Sequence, residues 1–202
     1  MNTRKSHLTI AQLLWPEVST SSYSRAAILA LTGSLLLTVS AKVQVPFYPI
    51  PVTMQTMIVM LLGMAYGSRL GVATVLLYLA EGAVGLPVFA GSPEKGIGLA
   101  YMLSGTGGYL IGFVLAAGIC GRLAERGLDR TVYFVALVMF VGHVAIYVPG
   151  LLWLGTVIGW DKPILQLGLF PFIPGDILKL ALAALSLPVA AKMARRFQSR
   201  GD

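Results

Sequence analysis

Two ionisable residues stand in a stretch of chain that is otherwise apolar. Pro174-Gly175-Asp176-Ile177-Leu178-Lys179 opens a segment that carries no further charge until Lys192. A charged side chain at the centre of a membrane costs about 2.5–3.5 kcal/mol on insertion scales, so such groups persist where they pair or face a cavity. Asp176 and Lys179 are three residues apart and share one face of a helix. Pro174 suits the helix start, where the positive end of the dipole also favours a carboxylate. The pair therefore reads either as a buried ligand site or as a structural ion pair capping the helix at the outer interface.

Other polar residues compete for a functional role. Glu81 lies within Leu76-Leu77-Tyr78-Leu79-Ala80-Glu81-Gly82-Ala83, where a carboxyl group can be protonated, bind a ligand or pair with Lys179. Alternatively, Gly82, Gly85 and Pro87 break the helix there and leave Glu81 against polar backbone. Gly98 to Tyr109 combines glycines, hydroxyls and the two tyrosines Tyr101 and Tyr109, which supply close backbone approach and flat walls with polar tips. Gly108 and Gly112 form a G-x-x-x-G whose usual meaning is close helix packing. Thr53 and Gln55 can hydrogen-bond a neutral polar ligand or satisfy helix-end backbone groups. His143, with no second histidine near it, reads as a hydrogen-bonded bundle residue rather than a proton relay.

The elements that must hold these residues follow from composition. Of 202 residues, 56% are hydrophobic and 11% charged, too little polar surface to cover a water-soluble domain of this size. The chain reads as an all-α integral membrane protein, a single membrane domain over 1–202. A span needs about 20 apolar residues, and six stretches qualify or come close: 24–41, 52–67, 69–90, 100–121, 131–155 and 174–191. A segment 1–22 precedes the six-helix bundle of 24–191, and a basic tail, 192–202, follows it. The second stretch is short and comes after Pro46-Phe47-Tyr48-Pro49-Ile50-Pro51. Prolines block helix there, so this connection is expected to fold back as a lid or wall, since irregular backbone at membrane depth must be covered or line a wet cavity.

With both termini cytoplasmic, 11 of the 15 basic residues fall inside, Lys42, Lys95 and Lys162 fall outside, and Lys179 stays in a span. The asymmetry sets the orientation by the positive-inside rule. It also explains the net charge of +7 through anionic lipid rather than nucleic acid. The first stretch reads as a retained span rather than a cleaved signal. One cysteine, Cys120, and two histidines exclude an internal disulfide and speak against a Cys/His metal cluster. No G-x-x-x-x-G-K-[ST] phosphate loop is present, so ATP-driven work would need a partner. Two other classes stay open: a proton-coupled secondary transporter using Glu81, and an intramembrane enzyme using Glu81, His143 or Asp176. Neither an inverted repeat nor a recognisable catalytic pair supports them. Ala26 and Ala30, continued by Ser34, form a small-residue row on the first helix that could pack internally or against a partner.

These motifs together resemble the BioY family, the biotin-binding S components of energy-coupling factor transporters. The segments that carry the resemblance are Val45-Pro46-Phe47-Tyr48-Pro49-Ile50-Pro51-Val52-Thr53-Met54-Gln55-Thr56, the run Leu77 to Gly91 around Glu81, Gly105-Thr106-Gly107-Gly108-Tyr109, and Phe172-Ile173-Pro174-Gly175-Asp176-Ile177-Leu178-Lys179. The resemblance implies a six-helix subunit of the bacterial cytoplasmic membrane that takes biotin from outside. It further implies a transmembrane coupling subunit and two cytoplasmic ATPases as partners, with ATP used by them and no cofactor on this chain. Ala26 and Ala30 match the family's A-x-x-x-A, which meets the coupling subunit. Asp176 and Lys179 match the acid and lysine that contact biotin, with Tyr109, Gln55, Thr53, Glu81, Tyr101 and Ser92 as further candidate contacts. Where family members have a glycine-rich loop, sometimes with an asparagine that reaches biotin, this chain reads Gly91-Ser92-Pro93-Glu94-Lys95-Gly96, with Ser92 as a substitute. Gly105 stands where many members have proline. The pose this suggests gives Asp176 a ureido N–H and Lys179 the ureido carbonyl; the alternative puts Lys179 on the carboxylate.

Overall fold

A computed structural model of the chain describes residues 9–11, 22–45, 50 and 52–198. Most of the segment 1–22, the three prolines of the 46–51 run and the end of the basic tail lie outside the described residues. The elements are α1 (Ser22–Lys42), β1 (Gln44–Val45), β2 (Val52–Thr53), α2 (Gln55–Tyr66), α3 (Ser68–Ala83), α4 (Gly98–Met102), α5 (Gly107–Ala124), α6 (Val132–Ile158), α7 (Ile164–Gly168) and α8 (Ile173–Gln198).

Among the described residues, four helices are long and apolar enough to cross a membrane: Tyr23–Lys42, Gly107–Ala124, Val132–Ile158 and Ile173–Met193. The expected second and third spans are present as shorter helices. At 1.5 Å per residue, α2 reaches only about 18 Å and α3 about 24 Å, against a hydrocarbon core of about 30 Å. α3 ends at Ala83 rather than near 90 because Gly85, at φ +99°, and Pro87 turn the chain back. The ring of Phe89 then packs where a side chain at Gly82 would stand. The expected fourth span is interrupted: after α4, Ser104 Oγ donates to Tyr101 O at 2.6 Å, and Ser104 O accepts from Gly107 N at 3.0 Å, so the chain turns before α5 begins.

α2 and α3 are joined through Gly67, whose φ of +83° is a left-handed conformation that suits glycine. The start of α3 is capped from another helix: Glu125, just past α5, accepts from Ser68 N at 2.7 Å and from Ser68 Oγ at 3.0 Å. A carboxylate there answers both the unpaired amides and the helix dipole. Gly108 and Gly112 serve packing, as G-x-x-x-G suggests. A Cβ on Gly112 would lie 2.6 Å from Ile146 Cα, and one on Gly108 would lie 2.3 Å from Pro149 O, so α5 and α6 touch backbone to backbone.

The outer faces of the long helices are apolar, with Leu31, Leu35, Ile111, Phe140, Val148 and Leu185 all exposed. Arg25, Gln55, His143, Asp176 and Lys179 are buried. Apolar outside with ionisable groups inside is the arrangement of a membrane-embedded bundle. On α1, Gly33, Ser34, Leu37 and Ala41 are buried, while Ala26 and Ala30 on the same side are half-buried. The far half of the small-residue row therefore faces into the subunit.

Candidate functional site

The described ends of the proline-rich connection pair antiparallel, Gln44 with Thr53 and Val45 with Val52, and Ile50 and Thr53 reach the wall of a cavity between the helices. α2 adds Gln55 and Thr56 to the wall, α4 adds Tyr101, α5 adds Tyr109, α6 adds Tyr147, and α8 adds Lys179.

Asp176 is 7% and Lys179 4% exposed, which places the pair within the bundle rather than at a wet helix cap. Lys179 Nζ donates to Asp176 Oδ1 at 3.0 Å and to Thr56 Oγ1 at 3.1 Å. An ammonium has three donors, so one remains for the cavity that Lys179 lines. Tyr147 donates its hydroxyl to Asp176 Oδ2. His143 stands with Nε2 3.4 Å from Asp176 Oδ1, and its Nδ1 lies 2.8 Å from Met139 O. Because a carbonyl only accepts, Nδ1 carries a proton. Asp176 itself is not part of the cavity wall; it stands behind Lys179 and Tyr147 and holds both.

Gln55, one residue before Thr56, lines the cavity at 4% exposure, and its Nε2 has no hydrogen-bond partner among the described residues. A buried polar atom left unpaired is costly, and a ligand group would relieve that cost. Thr53 Oγ1 accepts from Gln55 N at 3.3 Å, a helix-start contact, while the residue also faces the cavity. The tyrosines offer rings rather than free hydroxyls. Tyr109 donates to Gly168 O at 2.8 Å and Tyr101 to Ala90 O at 2.8 Å. The Tyr109 ring meets Tyr147 edge-on at 6.1 Å and Phe172 at 6.5 Å. The result is a chamber with flat aromatic walls, one buried cation and one unpaired amide, suited to a compact ligand with a polar head.

Two expected contacts lie elsewhere. Glu81 accepts a hydrogen bond from Ser34 on α1 and does not line the cavity. The pairing with Lys179 that its sequence position allowed is not formed, because Lys179 is taken by Asp176 and Thr56. Ser92 is buried but absent from the wall. Its Oγ donates to Phe89 O at 2.7 Å and accepts from Lys42 Nζ at 3.1 Å, so Ala90 takes its place at the cavity. Conversely, Tyr147 and Thr56 went unnoticed in the sequence. Tyr147 lies four residues after His143, on one helix face with it, and that spacing was the available signal.

Residues 9–196 match the BioY family. The chain is 38% identical over 150 residues to the probable biotin transporter BioY of Pyrococcus horikoshii, covering 74% of this chain and 86% of the relative. It is 38% identical over 167 residues to the biotin transporter BioY of Rhizobium etli, covering 79% and 85%. It is also 36% identical over 150 residues to the biotin transporter BioY of Thermotoga maritima, covering 74% and 86%. Its fold is similar to the crystal structure of the S-component for biotin from an ECF-type ABC transporter. There the TM-score is 0.70 at 21% identity, with 90% of this chain and 95% of that one covered.

Proposed function

The chain belongs to the BioY family, and from that premise we propose that it binds biotin in the cavity walled by Lys179, Gln55 and Tyr147. It does so as the substrate-binding subunit of an ATP-driven uptake system, and it is not an enzyme. The observation that carries this reading is the buried, donor-rich part of the cavity wall, where, among the described residues, Lys179 Nζ has two acceptors for its three donors and Gln55 Nε2 has no partner. Biotin presents a ureido ring with two N–H donors and one carbonyl, a thioether ring and a carboxylate on an aliphatic tail. Lys179 donates to the ureido carbonyl. Gln55 has both donor and acceptor and can answer either ureido edge. Asp176 fixes Lys179 and Tyr147, and its free lone pairs accept a ureido N–H if the ligand reaches past them. Tyr101, Tyr109 and Thr53 shape the walls. Sites that pair buried polar groups discriminate strongly, because an analogue lacking them leaves atoms unsatisfied.

We read α1, α2, α3, α5, α6 and α8 as six crossings of a bacterial cytoplasmic membrane, with both termini cytoplasmic and the whole chain one membrane domain. Arg69 follows the α2–α3 turn, and Arg122, Arg126 and Arg130 cluster where α5 gives way to α6. Lys42, at the end of α1, and Lys95 and Lys162, on connections, lie at the other end, where Ile50, Thr53 and Ala90 wall the cavity. The site thus faces outward under the positive-inside rule. Ala26 and Ala30, near the cytoplasmic end of α1, are the surface for a transmembrane coupling subunit, and two cytoplasmic ATPases supply the energy. The chain carries no cofactor of its own.

Uptake of labelled biotin by cells producing this chain tests the reading. Uptake should need active ATPase partners and survive collapse of the proton gradient. Loss with the gradient and persistence without the ATPases would favour a proton-coupled transporter instead, a reading already weakened by Glu81 being bonded to Ser34 away from the cavity.

A further inference from the structure

We propose that Lys42 is a positioning residue that clasps the segment 88–92 shut against the cavity and thereby sets how fast biotin leaves; the proposal rests on biotin occupying that cavity. Lys42 is the last residue of α1, and its Nζ donates to Phe89 O at 3.0 Å, Ser92 O at 2.9 Å and Ser92 Oγ at 3.1 Å. All three donors of the ammonium are thus spent on one short loop. Ser92 Oγ in turn donates to Phe89 O, so the same two residues hold each other and the lysine.

Among the described residues, the other side-chain hydrogen bonds and ring contacts of this loop come from the elements beside it in sequence. Tyr78 of α3 donates to Val88 O at 3.1 Å, and Tyr101 of α4 donates to Ala90 O at 2.8 Å. The Phe89 ring is stacked on Tyr101 at 4.7 Å and meets Tyr78 edge-on at 5.5 Å. Lys42 reaches the loop from a different direction. It joins the loop to α1 and, two residues on, to the β1–β2 hairpin. Ala90 from the loop, and Ile50 and Thr53 from the hairpin and its connection, all line the cavity. One side chain therefore joins the two covers of the site.

The chemistry of the clasp suits reversible opening. Lys42 itself is exposed and reaches the loop through three hydrogen bonds, and such ties open locally at far lower free energy than packed helices. The rings of Phe89, Tyr78 and Tyr101 stay packed when they break. Opening here parts the loop from the hairpin without unfolding the bundle. Glu81 and Ser34 bond α1 to α3 directly, so the helix stays in register while its end lets go.

Stopped-flow biotin binding to the purified full chain tests this, comparing wild type, Lys42→Met and Lys42→Arg. A charge-assisted bond corresponds to roughly tenfold in an equilibrium. Lys42→Met should therefore raise the dissociation rate about tenfold and raise the association rate as well, so that Kd changes by less than the dissociation rate. Lys42→Arg should restore most of the wild-type rates. An unchanged dissociation rate in Lys42→Met would overturn the proposal. So would a rise in dissociation matched by an equal rise in Kd, because Lys42 would then recognise biotin rather than clasp the wall. If Lys42→Met does not fold, Ser92→Ala removes one acceptor and should give a rise of about two- to threefold. Amide exchange on the ligand-free protein separates this proposal from the biotin reading. Lys42→Met should expose the 88–92 amides while α5 keeps its protection, whether or not biotin binds. Unchanged exchange there would overturn the clasp, whereas a wild type that binds no biotin would overturn the reading beneath it.

Discussion

Replacing Asp176 by asparagine removes the charge that balances Lys179 while keeping the side chain's shape. In the wild type the Lys179 ammonium is 4% exposed and has Asp176 at 3.0 Å and Thr56 at 3.1 Å as acceptors. After Asp176→Asn it is left buried with no counter-charge. Breaking a buried pair by removing one partner costs about 3–5 kcal/mol. At about 1.4 kcal/mol per factor of ten, that is two to three and a half orders of magnitude in whichever equilibrium bears it. Lys179→Met leaves the opposite orphan, a carboxylate held by Tyr147 and near His143, and should cost about as much. The double variant carries neither orphan. Replacing a whole buried pair with apolar or neutral groups is often neutral or stabilising, so the double variant should recover the thermal stability that each single variant loses. If the pair exists for biotin, affinity should not recover with stability. The assay is thermal unfolding in detergent beside equilibrium biotin binding for all four proteins. Recovery of both stability and affinity in the double variant would refute the reasoning, as would single variants with wild-type affinity.

Tyr147→Phe removes the hydroxyl donor from Asp176 Oδ2 and keeps the ring; a hydrogen bond to a charged group is worth about 1.5–3 kcal/mol, so biotin affinity should fall at least tenfold by titration, with the protein still monodisperse. For topology, with the buried Cys120 replaced, Lys95→Cys should react with an impermeant thiol reagent in intact cells and Arg126→Cys should not; equal labelling would overturn the orientation. Ala26→Trp or Ala30→Trp should preserve biotin binding while co-purification of a coupling subunit and ATP-driven uptake are lost, since close helix approach depends on small side chains. If either variant loses biotin binding and stability together, the row packs inside the subunit, as its continuation through Gly33 and Ser34 already does.

Much of this could be read from the chain because the membrane makes charge scarce. Asp176 and Lys179 stood out as two ionisable residues at helical spacing, and the structure finds them bonded to each other. The prolines between α1 and α2 lie outside the described residues, though the strands on either side of them pair antiparallel, and Gly108 and Gly112 announced the α5–α6 contact. What stayed hidden depends on partners far apart in sequence. Thr56 is 123 positions from Lys179, and Tyr147 is 29 from Asp176; neither distance leaves a periodic trace. The same blindness misplaced Glu81 and Ser92. Both were polar residues near the expected site, yet each is claimed by α1, by Ser34 at a separation of 47 and Lys42 at 50. The interruption between α4 and α5 was also concealed, since its residues, Leu103 to Thr106, lie in a run apolar enough to read as one helix.

The central claim is that biotin sits in the cavity with its polar head against Lys179. A structure of the full chain with biotin bound tests it most directly. The account predicts one biotin per chain, with the ureido carbonyl within hydrogen-bond distance of Lys179 Nζ, Gln55 paired to the ligand, and the bicyclic ring between the tyrosine walls. Biotin bound outside this cavity, or inside it with Lys179 and Gln55 both still unengaged, would contradict it.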